Sequence, residues 1–362
     1  MGVCVNDPET PRGRRELRPT MRDVAALAGV SVMTVSRVVN GDQRVSQARV
    51  ERVRKAIEML DYAQNVPARN LRLTGQPTAS IGVVQEDIAN PFASVLQRAV
   101  EDVVAREGCL VLCGSSDGAP ERERALIAEF CARRVDGLVI VPAVSAGDHT
   151  YLLPEIRRGT PVVFVDRPSH SVAADTVVSD NVGGAQRAVE HLLAHGHTRI
   201  GFLGDLTGIY TGDERYRGYR NALRAAGLGV DEQLVRRDVH DVVAAREATQ
   251  ELLSLRESPT ALFTAQNLLT IGSRQALHAL GAERTIAHVG FDDIVLANLL
   301  DPAITVVAQD PAAIGSLAGE LLIERINGAS GPPETVEVPI ELISRSSGEI
   351  APRPSGPPTT QA

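Results

Sequence analysis

From Ser80 onward the chain alternates short apolar runs, rich in β-branched residues, with helical stretches of about 12 to 16 residues. The runs fall at residues 81–84, 110–112, 138–141, 162–165, 200–203, 261–263 and 287–289. Continuous apolar character marks strands buried on both faces, and a helical stretch between successive strands supplies the crossover that parallel pairing needs. This pattern predicts parallel sheets covered by helices on both faces. About 270 residues of it exceed one comfortable doubly wound sheet, so two α/β lobes are expected.

The first quarter follows a different rule. Thr20 is placed to cap a helix running through Ala28, with Asp23 three residues on as in a capping box and Gly29 at its end. Ser31 caps a second helix to about Val39, ended by Asn40-Gly41, and Ser46 a third that is apolar on Val50, Val53, Ile57 and Leu60. Three such helices make a minimal all-α domain. Residues 21–40, MRDVAALAGVSVMTVSRVVN, have the spacing that two helices crossing at a tight turn require: Ala25 is small at the crossing and Gly29 supplies the turn. Val24, Ala28, Val30, Val35 and Val38 then form the interior, leaving Val32, Met33, Ser36 and Arg37 on the outer face of the second helix.

That is the layout of a helix-turn-helix, whose second helix enters the major groove of DNA with its N-terminal part. A generic helical hairpin would not set Arg37 beside accessible Val32 and Met33 without a polar partner. An arginine can contact guanine O6 and N7 bidentately, and valine or methionine can pack on thymine methyls. Thr34, Ser36, Asn40 and Arg44 are better placed for phosphates or neighbouring base edges.

Charge agrees with a polyanion-binding head on a different body. Residues 1–75 hold 13 Lys and Arg against 8 Asp and Glu, while the remainder holds 24 against 37. Residues 65–78, with Pro67, Gly75 and Pro77, have the turn chemistry of a linker. Residues 1–19 carry Asp7, Glu9 and Glu16 among arginines with no apolar core, so they are expected to be an unstructured lead-in to a cytoplasmic protein rather than a signal peptide. No apolar run approaches the roughly 18 to 20 residues of a membrane span. The Pro-, Gly- and Thr-rich residues 348–362 are expected to be an unstructured tail.

Cys109 and Cys113 lie four residues apart on an apparent buried strand, roughly 13 Å by strand geometry. That is too far for a disulfide, so with Cys131 they are expected to pack in the core. His191, His195 and His197 suit a helix end, where His197 would satisfy a terminal carbonyl, better than a metal site. No metal or cofactor is expected.

The run DVAALAGVSVMTVSRVVN, followed by VS and then DY, closely resembles the DNA-binding head of the LacI/GalR (lactose repressor) family. The resemblance continues through Pro67-Ala68-Arg69-Asn70-Leu71, which looks like that family's hinge helix. It implies DNA contacts from Ala68 and Arg69 and a Leu71 wedge in the central minor groove of the operator, where unstacking is repaid by a bent, wrapped site. In the body, Asn90-Pro91-Phe92, Val165-Asp166-Arg167-Pro168, Ser179-Asp180-Asn181, Arg215-Tyr216-Arg217-Gly218-Tyr219, Gly290-Phe291-Asp292-Asp293 and Gln309-Asp310 look like the family's two-lobed, periplasmic-binding-protein-like effector domain.

The expected division is a head at 20–64, a hinge at 65–78 and an effector domain at 79–347, with one lobe from about 79–178 and 309–338 and the other from about 179–308 and 339–347. Asn90, Asp166, Arg215, Gln266 and Asp292 fall at or just after predicted strand ends, or in loops leading into helices, the edge where open α/β sheets bind ligands. Phe92 is a candidate apolar wall. The resemblance implies Arg215 and Asp292 as paired effector clamps, with Asp166, Gln266 and Gln309 in support. Where many members have Asn-Asp, this chain has Gln266-Asn267, which removes a charge from that loop.

The family reading implies a homodimeric repressor that binds double-stranded operator DNA, with hinge helices that fold when paired on DNA. A sugar, sugar derivative or nucleoside would control it. A sugar-binding enzyme using Asp292 and Asp293 is the competing class, but adjacent aspartates on one loop point apart, and no G-x-S-x-G, Walker A or G-x-G-x-x-G fingerprint is expected. A transport-type binding protein would lack the intact head.

Overall fold

A computed structural model describes residues 19–39, 42, 44–62, 78–144 and 146–352. The chain divides into two compact units, Met1–Gln76 and Pro77–Ala362. In the first, helices α1 (Met21–Ala28), α2 (Val32–Val39) and α3 (Gln47–Met59) follow their sequence signals. The Thr20 backbone N–H and hydroxyl both donate to the Asp23 carboxylate at 2.7 Å, and Gly29 sits at φ 61°, a left-handed value that glycine adopts without strain. The Thr34 N–H donates to Ser31 Oγ at 3.1 Å, capping α2. Val24, Ala25, Ala28, Val35, Val53, Ala56 and Tyr62 form the core, with Val30, Val38, Ile57 and Leu60 packed at its margin.

The second unit holds two six-stranded sheets. One contains β1 (Ser80–Gln85), β2 (Leu110–Ser115), β3 (Gly137–Ile140), β4 (Val162–Val165), β5 (Asp175–Ser179) and β11 (Thr335–Val338), in the order β11-β5-β4-β3-β1-β2, all parallel. The other contains β6 (Ile200–Leu203), β7 (Val235–Arg236), β8 (Ala261–Thr264), β9 (Ala287–Phe291), β10 (Thr305–Ala308) and β12 (Glu341–Ile343), in the order β12-β10-β9-β8-β6-β7. Only β12 is antiparallel there, paired with β10. The two sheets are wound identically from β1 to β5 and from β6 to β10, a structural repeat that leaves no visible repeat in the sequence.

All seven apolar runs are strands. Five further strands escaped the periodicity. β7 and β12 span two and three residues, β11 is a largely exposed edge strand, β5 begins on the polar pair Asp175-Thr176 although it is buried, and β10 opens on Thr305 and is four residues long. β2 corrects an expectation: it is the edge of its sheet and only half-buried. Cys109 and Cys113 therefore pack on the margin of the core rather than within it, as does Cys131 beside Leu126 and Ile156. Partial burial pushes the Cys113 and Cys131 thiols up to about 11, which leaves them unreactive.

Helices α4 (Pro91–Arg106), α5 (Pro120–Ala132), α6 (Leu153–Arg157), α7 (Asn181–Ala194), α8 (Tyr210–Ala225), α9 (Val242–Ser254), α10 (Asn267–Ala279) and α11 (Pro311–Ile326) cover the sheets. Three pairs among them meet backbone to backbone. A Cβ at Gly218 of α8 would lie 2.3 Å from the Val182 carbonyl oxygen of α7. At Gly272 of α10 and Gly315 of α11 it would lie 2.3 Å from the carbonyl oxygens of Val242 and Leu96, at the start of α9 and within α4. Gly315→Ala should therefore destabilise the protein by about 1–3 kcal/mol through overpacking, outweighing alanine's higher helix propensity. Thermal denaturation should show a midpoint several degrees lower, and an unchanged midpoint would contradict so close a packing.

Residues 348–352 also depart from expectation, because they are fastened to the second lobe rather than trailing from it. Glu349 accepts from Ser344 Oγ at 2.5 Å and Thr305 Oγ1 at 2.9 Å and meets His191 Nε2 at 2.9 Å, while the Ile350 carbonyl bonds His197 Nε2 at 2.7 Å. His197 thus ties this segment and Thr260 together, and it is His195 that reaches the terminal carbonyl of α7, bonding His191 O at 2.8 Å.

Candidate functional site

Between the two lobes lies a cavity of about 220 Å³, built from loops at the carboxyl ends of the strands of both sheets. Of the residues singled out in the sequence, Asn90, Phe92, Asp166 and Gln266 line it. Asn90 caps α4 by accepting from the Phe92 N–H at 3.1 Å, which sets Phe92 in the first turn. Asp166 and Asp292 occupy matching places in the two lobes, immediately after β4 and β9. Each donates its N–H back to the sheet, to Val177 O at 2.9 Å and Val307 O at 2.8 Å, and each holds a left-handed backbone, φ 65° and 70°. Such non-glycine strain persists where surrounding structure enforces it, and functional sites are a common place for it.

Arg215 lies not in a loop, as its sequence context suggested, but in the second turn of α8. Only 4% exposed, it donates from Nε to Asn181 Oδ1 and from Nη1 to the Ala265 carbonyl, both at 2.8 Å. Its guanidinium carbon sits 3.8 Å from the Phe291 ring centre, and Nη1 stands 3.9 Å from Asp292 Oδ2. Gln309 Nε2 donates to the other Asp292 oxygen at 2.5 Å. The predicted trio of Arg215, Asp292 and Gln309 is thus assembled around one buried carboxylate. Burial pushes the carboxyls of Asp166 and Asp292 up, against the pull of Arg167 and Arg215 on the first and of Arg215 and Gln309 on the second.

Other site residues had no assigned part in the sequence reading. Arg167, 3% exposed, pairs with Glu86 through Nη2, donates from Nη1 to the carbonyls of Pro142 and Ala143 at 3.3 and 3.4 Å, and brings Nε within 3.3 Å of Asp166. Asp205 accepts from Gln266 Nε2 at 3.2 Å and bonds His240 Nδ1 at 2.7 Å. Two contacts cross between lobes: Asn267 Nδ2 donates to Asn90 Oδ1 at 2.8 Å, and His240 Nε2 stands 3.7 Å from Glu86 Oε1. The buried atoms without a hydrogen-bond partner among the described residues include three of these site residues' own: Gln266 Oε1, Gln309 Oε1 and Arg167 Nε. Orphaned polar groups beside a cavity are what a polar ligand would satisfy.

The hydrogen bond to Asp205 raises the His240 pKa, helped by the charges of Asp205 and Glu86 and opposed by burial and Arg167. The sign follows: the protonated imidazole favours the folded, lobe-bridging arrangement. That contribution is complete below the ordinary value of 6.5 and is lost as pH rises through the raised value. The unfolding midpoint should therefore fall more steeply as pH rises above 6.5 in the native protein than in His240→Gln. Parallel curves for the two would rule the bridge out.

One expectation is corrected by the sequence itself: Gly114-Ser115-Ser116-Asp117-Gly118, at the junction of β2 and α5, does match the G-x-S-x-G spacing of a serine-hydrolase elbow. Ser116 is fully buried, however, and its Oγ has no hydrogen-bond partner among the described residues, so it has neither the exposure nor the base of a nucleophile. No group of His, Cys, Asp and Glu among the described residues could hold a metal ion, and no described helix is long and apolar enough to cross a membrane.

In the head, α2 presents Val32 at 38% and Met33 at 65% exposure, with Arg37 exposed alongside. Thr34 and Ser36 are half-buried on the same helix. Arg44 is exposed and held bidentately by Asp42, at 2.9 Å from both Nε and Nη2. Asn40, Ala68, Arg69 and Leu71, with the expected hinge helix, lie outside the described residues.

Residues 20–65 match the family profile described as bacterial regulatory proteins, lacI family, and residues 189–348 match the periplasmic binding protein-like domain. The chain is 31% identical over 336 residues to the HTH-type transcriptional regulator DegA of Bacillus subtilis, covering 91% of this chain and 98% of that one. It is 32% identical over 341 residues to the HTH-type transcriptional repressor CytR of Escherichia coli K12, covering 94% and 99%. Among solved structures, the complex of the transcriptional regulator CelR with cellobiose aligns with a TM-score of 0.68 at 30% identity, over 91% of this chain and all of that one. These relatives are transcription regulators rather than enzymes, and the likeness spans head and body alike. The chain belongs to the LacI family of bacterial regulatory proteins.

Proposed function

We propose that the protein is a cytoplasmic, homodimeric repressor that binds operator DNA through paired heads and whose grip is set by a small effector held between the lobes of its body. The single observation that carries this reading is the buried arrangement of Arg215, Asp292 and Gln309, in a chain whose lobes enclose a cavity lined by Asp166 and Gln266 and which also presents an exposed α2 face. Arg37 is the reader of a guanine edge, and Val32 and Met33 pack on base methyls. Thr34, Ser36, Asn40, Arg44, Ala68 and Arg69 contact the backbone and neighbouring edges, and Leu71 is the minor-groove wedge. Arg215 and Asp292 clamp the effector, with Asp166, Gln266, Gln309 and Phe92 around it.

A carbohydrate or nucleoside fits a site built of carboxylates, a guanidinium and amides, and CelR, similar over 91% of this chain, was solved with cellobiose. Dimerisation is supported by the loop after β9, which exposes Val295, Leu296, Leu299 and Leu300 within six residues. Coupling between cleft and operator is reciprocal: an effector that weakens operator binding must itself bind more weakly in the presence of operator.

Deleting residues 1–78 should abolish specific DNA binding and leave effector affinity intact. Electrophoretic mobility and calorimetric titration check the two halves. Operator affinity that survived in the truncated protein would overturn the assignment of the head.

A further inference from the structure

We propose that the cleft takes an uncharged, hydroxyl-rich ligand and rejects phosphorylated or carboxylated forms of the same molecule, an inference that rests on reading the cleft as the effector site. Glu86, Asp87, Asp117 and Asp166 line the cavity, and His240 is the one basic side chain among the lining residues. Asp205 stands behind His240, and Asp292 behind Arg215.

The arginines nearby are already committed: Arg122 is exposed and paired with the lining Asp117, and two others are buried. Arg167 is buried against Glu86, Asp166 and the carbonyls of Pro142 and Ala143, and Arg215 is held by Asn181 and the Ala265 carbonyl over the Phe291 ring. A phosphate entering here would find each of these guanidinium groups already paired, and it would face the carboxylates of Glu86 and Asp166 inside the cavity and those of Asp87 and Asp117 at its exposed edge.

The unmatched hydrogen-bonding groups point the same way. Gln266 and Gln309 each commit their amide nitrogen to a carboxylate, Asp205 and Asp292, which fixes the amide orientation and leaves the oxygens as buried acceptors without donors. Asp166, 8% exposed, faces the cavity with only the 3.3 Å approach of Arg167 Nε. These groups ask mainly for donors, with one unmatched donor, Arg167 Nε, asking for an acceptor. A hydroxyl supplies both, whereas a phosphate or carboxylate supplies acceptors alone.

The test uses the full chain at pH 7.5, with thermal-shift measurements followed by calorimetric titration. The probes are matched sets: cellobiose; D-ribose and D-ribose 5-phosphate; D-glucose, D-glucose 6-phosphate, D-gluconate and D-glucosamine; adenosine and AMP; cytidine and CMP. At least one uncharged member should raise the unfolding midpoint, and anionic relatives of a binding sugar or nucleoside should bind on the order of 100-fold more weakly, whereas D-glucosamine, whose ammonium the carboxylates attract, should bind no more weakly than D-glucose. The double substitution Asp87→Asn, Asp117→Asn should improve binding of the phosphorylated members by about tenfold while barely changing the uncharged ones. A phosphorylated or carboxylated member that binds as tightly as its uncharged partner overturns the proposal, as does a panel in which no uncharged member binds. Should an uncharged probe bind with the same Kd in the native protein, in Asp166→Asn and in Gln309→Leu, the ligand lies outside the cleft. The effector-site reading then fails and carries the proposal with it.

Discussion

Arg37→Ala is expected to lower the affinity of the dimer for its operator by about 10²- to 10⁴-fold while leaving its affinity for unrelated duplex nearly unchanged. A bidentate arginine contact to guanine discriminates by about 1–3 kcal/mol. Two heads on a palindromic site make that contact twice, and contributions from well-separated positions add. The fold should not suffer: Arg37 is exposed on α2, outside the core formed by Val24, Val35 and Val53, and substitutions at such positions are usually within about 0.5 kcal/mol. Fluorescence anisotropy against operator and scrambled duplexes at one salt concentration separates the sequence-reading contribution from the phosphate contribution. A variant that kept its discrimination between the two duplexes would show that Arg37 does not read a base.

Arg215→Ala should be the most damaging change in the body, on two counts. It removes the guanidinium that stands 3.9 Å from Asp292, whose carboxyl is already pushed up by burial. Breaking a buried ion pair from one side costs about 3–5 kcal/mol, since the abandoned charge must be neutralised or hydrated in place. It also removes the two hydrogen bonds to Asn181 and the Ala265 carbonyl and the stacking on Phe291. The expected result is a markedly lower unfolding midpoint together with loss of the effector-induced shift.

Arg215→Lys distinguishes the two effects. An ammonium can keep charge near Asp292 but cannot reproduce the planar fork that serves Asn181 and Ala265 at once. Stability should recover in part and effector binding should not. Were Arg215→Ala to retain both its stability and its ligand response, the buried guanidinium would be neither a structural nor a binding element.

Much of the fold was legible because its instructions are local. The capping pair Thr20 and Asp23, the turn at Gly29 and the continuous apolar runs of β1, β3, β4, β6, β8 and β9 each lie within a few neighbouring residues, and backbone hydrogen bonding reads such patterns directly. Strands without a long apolar run, such as β7 and β12, were not legible, because their pairing is decided by the neighbouring strand rather than by their own pattern.

The site was legible only as a roll of candidates. Asp166, Gln266 and Asp292 could be placed at strand ends, but nothing local announces that Arg167 will meet Glu86 81 positions away, or that Asn267 will meet Asn90 across 177. Arg215 was expected in a loop and lies inside α8, where helix geometry turns it under Asn181 and toward Asp292. The charge balance of the cavity was equally hidden, since the sequence counts carboxylates without saying which arginines are already spent on them.

Taken by itself, the sequence determined a basic helix-turn-helix head, an α/β body of parallel sheets and the edge of those sheets where a ligand would sit, because capping, periodicity and strand burial are written over short spans. The tertiary structure alone decided which of the polar residues at strand ends share a cavity, that β2 is an edge, that residues 348–352 are strapped to the second lobe, and that the cleft's arginines are neutralised. Those outcomes depend on how crossovers of particular lengths bring distant loops together, and no contiguous stretch of the chain contains that information.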